Sequence, residues 1–88
     1  MIEITHTIQD PLGLHARPVA LLFDHIGKHH SRVTVTIGDR SCDGRDIMGL
    51  MGLYGTVGET IHFAIEGDDE AVCAADLRSL ISDMESEL

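Results

Sequence analysis

Val33-Thr34-Val35-Thr36-Ile37-Gly38-Asp39-Arg40-Ser41-Cys42-Asp43 is the stretch that decides the fold. Val33, Val35 and Ile37 alternate with Thr34 and Thr36, the period of a strand with one buried and one wet face. Gly38-Asp39 is a hairpin signal, so the chain turns back and residues 40–43 make a weaker partner strand. Strands joined by so tight a turn run antiparallel, and their apolar face needs a cover.

Outward from this hairpin the same patterns recur. Ile2, Ile4 and Ile8 alternate with Glu3, Thr5 and Thr7 as a first strand, broken by Asp10, Pro11 and Gly13. Residues 16–27 read as a helix with Val19, Ala20, Phe23 and Ile26 on its apolar face and Gly27 closing it. Pro18 is tolerated because a first turn does not use its missing N–H. Asp46 reads as the N-cap of a short helix over 47–53, and Gly55 and Gly58 mark a loop. Ile61, Phe63 and Ile65 alternate with His62 and Ala64 as a fourth strand. Gly67-Asp68-Asp69 then turns into a last helix over 70–84, with Val72, Leu77, Leu80, Ile81 and Met84 as core positions. The order β-α-β-β-α-β-α predicts an α+β fold: an open-faced two-layer β-sandwich, with a four-stranded antiparallel sheet and three helices on one face. The 88 residues are expected to form one domain, 1–88.

Composition narrows the function. The net charge of −9 argues against nucleic acid as a partner. The charge is uneven: residues 1–45 balance five acids with five bases, whereas 46–88 carry ten acids and only Arg78. The first half can therefore host an anion. No stretch reaches the roughly 18 apolar residues that span a membrane, and no signal-peptide pattern follows Met1. Cys42 and Cys73 form no CxxC pair, so reduced, buried thiols in a cytoplasmic chain are expected.

The chemistry concentrates at His15-Ala16-Arg17-Pro18. The helix beginning there directs its first amides and the positive pole of its dipole toward His15, which makes a ready anion site. Arg17 adds a guanidinium able to clasp a phosphoryl oxygen with two donors. The positive pole favours the neutral imidazole, and neutral imidazole is a nucleophile. Taken alone, a histidine before a helix is more often a surface residue or a weak cap; Arg17 and Pro18 beside it even the odds.

Gly13-Leu14-His15-Ala16-Arg17-Pro18 resembles the active-site signature of HPr, the histidine phosphocarrier family of the bacterial phosphoenolpyruvate-dependent sugar phosphotransferase system. Asp46-Ile47-Met48-Gly49-Leu50-Met51 resembles the family's second signature. The resemblance implies that enzyme I, charged by phosphoenolpyruvate, phosphorylates Nδ1 of His15, and that the group moves on to an enzyme IIA domain. It implies a phosphate-stabilising Arg17, backbone contacts at Ala16 and Arg17, a monomeric carrier and no cofactor. It also implies partner docking on Ala20, Leu21, Asp24, Ile47, Met48 and Met51. Three departures stand out. Asp46 occupies the position of a regulatory serine, so phosphorylation there is excluded. Asp24 and Gly27 stand where lysines are common on the first helix. Tyr54 stands where glycine is common, which points to Gly55 for the exit of the short helix.

Other residues carry weaker signals. His25 and His29 have the four-residue spacing of a metal pair, but two ligands do not make a site, and an exposed pair is the plainer reading. His29-His30 reads as a solvated helix end, and His6 and His62 as strand residues on the open face. Ile47, Met48 and Met51 fit either core packing or a docking ridge, since flexible methionine suits several partners. Alternatives to a sugar-uptake carrier are a nitrogen-related or dihydroxyacetone-kinase-linked branch, a regulatory binding module without transfer, and a small metallochaperone. The last lacks clustered ligands.

Overall fold

In a computed structural model describing residues 1–86, the Gly38-Asp39 turn closes the hairpin as the alternation predicts, between β2 (Arg32–Ile37) and β3 (Arg40–Asp43). Ile37 pairs with Arg40 and Thr34 with Asp43. The other elements are β1 (Ile2–Thr7), α1 (Ala16–Gly27), α2 (Ile47–Gly52), β4 (Thr60–Glu66) and α3 (Glu70–Ser86). The sheet order is β1-β4-β2-β3 with every neighbouring pair antiparallel. Val35 lies opposite Phe63 and Val33 opposite Ile65, while Ile4 meets Phe63 from the other side. These side chains are buried beneath the helices, whereas Thr5, His62 and Thr36 share the other face in register. Burying a side chain of this size stabilises the fold by about 1.5–3 kcal/mol.

The helices differ from the sequence expectation in detail. The buried stripe of α1 is Val19, Leu22 and Ile26; Ala20 is exposed and Phe23 is 36% exposed. A spacing of three then four follows one helix face, and Phe23 lies one position round from it. In α3 the buried positions are Cys73, Ala74, Leu77, Leu80 and Ile81, while Val72 is 63% exposed. Small Cys73 and Ala74 face the core and let the first turn of α3 approach it. The helix α2 stops at Gly52, one residue early, and buried Leu53 is its C-cap. His6 does not share the open face; it shares the side of Ile4 and Ile8, with Nδ1 3.1 Å from Glu85.

Two loops set the start of α1. Ile8 exchanges backbone hydrogen bonds with the 58–59 segment, its amide to Glu59 and its carbonyl from Gly58, both 2.9 Å. The Leu14 amide donates to the Gly55 carbonyl at 2.8 Å. Gly13 has φ +70, and a Cβ there would run into that carbonyl oxygen, so the close approach requires glycine. The exit of α2 turns on Tyr54 itself, at φ 48, not on Gly55. Gly55 serves packing instead, since a Cβ there would crowd Ile37, Ile8 and Leu14.

Candidate functional site

His15 is the N-cap residue of α1, with φ −95 and ψ −172, and its side chain makes no capping bond. Its carbonyl opens the helix by accepting from the Val19 amide at 3.1 Å. The imidazole, 32% exposed, turns back to the β1–α1 loop, where Nε2 lies 2.9 Å from Oδ2 of Asp10. The other oxygen of Asp10 accepts from the Leu12 amide at 2.9 Å, and the Asp10 carbonyl accepts from Gly13 at 2.8 Å. The Leu12 amide foremost, then the His15 ring and the charge of Arg17, hold Asp10 below the usual carboxylate range. It is therefore an anion at neutral pH. Sequence reasoning read Asp10 only as a strand breaker. An Asp-Pro-x-Gly turn that folds back on the next histidine was the signal available.

Ala16 and Arg17 provide the first-turn amides of α1, where orphan N–H groups and the helix dipole favour an anion. Arg17 is exposed. Two of the other bases counted in the first half are committed elsewhere. Arg40 donates to Leu53 and pairs with Glu59 at 3.0 Å. Arg45 donates to the carbonyls of Ser31, at 2.9 Å, and His29, just beyond α1, and reaches the Ile26 carbonyl of its last turn at 3.5 Å. Lys28 lies 3.9 Å from Asp24, one turn away on the same helix. At the start of α1 the groups that favour an anion are the helix end and the exposed Arg17.

The residues expected at a docking surface lie on the outside of α1 and α2, which pack against each other. Ala20 and Asp24 are exposed and Leu21 is half-buried. On α2, Leu50 points inward, while Ile47, Met51 and above all Met48, 76% exposed, do not. Core packing is thus excluded for these three. Asp46 caps α2 as expected, its carboxylate accepting from the Gly49 amide at 3.0 Å.

The far end of α1 corrects two readings. His25 and His29 are not an exposed pair, and His29 is not solvated. His25 Nδ1 lies 2.9 Å from one oxygen of Asp76 and His29 Nε2 lies 2.7 Å from the other. Burial works to raise Asp76, but the bonds from His29 and His25 outweigh it and hold it low. Ser31, fully buried, gives its hydroxyl and amide to Asp69, and the His30 amide adds a third bond. Led by the Ser31 hydroxyl and then the His30 amide, these bonds hold Asp69 down at about 2. Among the described residues, no group of three or more His, Cys, Asp or Glu side chains is placed to hold a metal. Cys73 is buried and Cys42 only half-buried, against the expectation for both. Desolvation first, then nearby aspartates, pushes both thiols up, away from the nucleophilic thiolate form. No described helix is long and apolar enough to cross a membrane.

A family model described as "PTS HPr component phosphorylation site" matches residues 2–83. The chain belongs to the HPr family. Phosphocarrier protein HPr of Xylella fastidiosa is 37% identical over 70 residues, 80% of this chain and 79% of that protein. The HPr of Cupriavidus necator is 35% identical over 82 residues, covering 93% and 92%. An HPr crystal structure from Thermoanaerobacter tengcongensis superposes with a TM-score of 0.85 at 35% identity, over 93% of this chain and 92% of that one. The open-faced sandwich is thus the HPr fold, and the chain is a phosphocarrier of the phosphotransferase system.

Proposed function

We propose that His15 is the phosphoryl acceptor of this carrier and that Arg17 and the amides of Ala16 and Arg17 steady the bound group. The observation that carries this reading is the placement of His15. Among the described residues, no other of the six histidines stands at the start of a helix. There an imidazole nitrogen, a positive helix pole and an arginine meet. In this reading enzyme I delivers the group from phosphoenolpyruvate and an enzyme IIA domain removes it for sugar uptake. The chain is a carrier rather than an independent catalyst, works as a cytoplasmic monomer of one domain, 1–88, and needs no cofactor.

Partners dock on Ala20, Leu21 and Asp24 of α1 and on Ile47, Met48 and Met51 of α2. Exposed methionines adapt their shape to more than one partner, as a carrier with a donor and an acceptor requires. Asp46 sets a fixed charge at this surface where a serine would be switchable. The test is incubation with enzyme I and phosphoenolpyruvate followed by intact mass. The wild type gains one acid-labile phosphoryl group. His15→Ala gains none while keeping its circular dichroism; uptake by that variant at the wild-type rate removes His15 from the mechanism.

A further inference from the structure

We propose that Asp10 is the positioning residue of the transfer: its carboxylate holds His15 with the ring proton on Nε2 and balances the charge that the ring carries while phosphorylated. The inference rests on the reading of His15 as acceptor and adds to it the group that presents the nucleophile.

The geometry leads. Asp10 Oδ1 is fixed by the Leu12 amide, 2.9 Å away, which aims Oδ2 at His15 Nε2, also 2.9 Å away. The Gly13–Asp10 and Leu14–Gly55 backbone bonds, both 2.8 Å, fix the loop that carries the aspartate. An ionised carboxylate only accepts hydrogen bonds, so Nε2–H donates to it. A neutral imidazole has one N–H and one lone pair, so the lone pair lies on Nδ1. The ring is then in one tautomer, and the same contact fixes its orientation.

The transfer balances without moving a proton. Nδ1 attacks phosphorus; the N–P bond forms as the bond from phosphorus to the donor breaks, and that electron pair leaves with the donor. The ring keeps its Nε2–H and so becomes a cation bearing the phosphoryl group. Asp10 faces this cation across the hydrogen bond it already makes, and a charge-assisted bond is the stronger kind. In the onward step the N–P electron pair returns to Nδ1, and the ring is neutral with the same proton in place. Asp10 thus stabilises the loaded ring, and it keeps the same tautomer and orientation for both steps. No group has to be recruited between loading and unloading.

A purely structural role for Asp10, closing the turn through Leu12, is separable from this one by substitution. Asp10→Asn keeps one oxygen for the Leu12 amide, so its NH2 faces Nε2 and donates to it. The ring proton then moves to Nδ1 and occupies the attacking lone pair. Asp10→Ala removes both contacts and leaves a mixture of tautomers. The experiment is a long-range proton–nitrogen NMR correlation of the His15 ring in the unphosphorylated proteins, paired with initial rates of phosphoryl uptake from enzyme I. The wild type is expected to show Nε2–H. Asp10→Asn is expected to show Nδ1–H, with wild-type thermal stability and uptake about tenfold or more slower, as for loss of a hydrogen bond to a charged group. A wild-type ring protonated on Nδ1, or Asp10→Asn loaded at the wild-type rate, overturns the role of Asp10. Failure of the wild type to accept any phosphoryl group overturns the acceptor reading itself, and the tautomer spectra tell that failure from the first.

Discussion

The two ends of α1 use the same chemistry for opposite purposes. At the start, one histidine meets one carboxylate, His15 with Asp10, and both remain about a third exposed. At the finish, two histidines share Asp76, and the side chain of His29 is only 12% exposed. The start of a helix offers amide donors and a positive pole, so a histidine there can receive an anion. The finish offers carbonyls, and here Arg45 reaches that of Ile26 at 3.5 Å and those of His29 and Ser31 just beyond the helix. A carboxylate–histidine pair therefore does not by itself mark a reactive site; the polarity of the backbone beside it does.

The largest effect is expected at the proposed acceptor end. Arg17→Ala is expected to slow phosphoryl uptake roughly 10–150-fold, since a hydrogen bond to a charged group contributes about 1.5–3 kcal/mol. Stability should hold. An unchanged rate with both enzyme I and the IIA partner would remove Arg17 from the site. Asp76→Ala is the mirror experiment. It should lower unfolding stability by about 1–3 kcal/mol in urea titration, because two ring donors lose their acceptor, and leave uptake at the wild-type rate. A transfer defect in this variant would show that the two ends are coupled.

A smaller effect is expected at the surface between them. Asp46→Ala should cost about 0.5–2 kcal/mol through loss of the α2 cap, and Asp46→Ser less, because serine also caps. Asp46→Ser also removes one charge beside the exposed methionines of the proposed docking surface. If the cognate enzyme I is adapted to that charge, loading of the Ser variant at low salt should not exceed the wild type. A many-fold gain at low salt that closes at high salt would mark Asp46 as a brake on transfer. Acid sharpens the structural half of the comparison. Asp69 is held at about 2 against an ordinary 3.8, so its contribution is complete above about pH 4 and is lost as pH falls toward 2. In Asp69→Asn, stability measured across that window should decline less steeply than in the wild type.

The sheet was legible because its signal is local: Val33-Thr34-Val35 and Ile61-His62-Phe63 alternate cleanly, and Gly38-Asp39 names the turn. The helix start at Ala16 and the Asp46 cap were legible for the same reason. What stayed hidden depends on partners far along the chain. Asp76 meets His25 and His29 across 51 and 47 residues, and Asp69 meets Ser31 across 38, so neither histidine looked committed. Small residues also misled: Cys73 and Ala74 face the core where Val72 was the more apolar choice. Asp10 was missed although it is only five residues from His15, because a turn residue does not announce where its second oxygen points. His15 and Arg17 stood out because the helix-start argument needs only neighbours in sequence.

The most direct test of this account is to locate the phosphoryl group among the six histidines after loading by enzyme I and phosphoenolpyruvate. Peptide mapping under alkaline conditions, which spare phosphohistidine, is the measurement. One modified peptide is expected, containing His15, with the peptides of His25, His29 and His30 unmodified. Phosphoryl label on the peptide that carries His25 or His29, at a level comparable to His15, would contradict it.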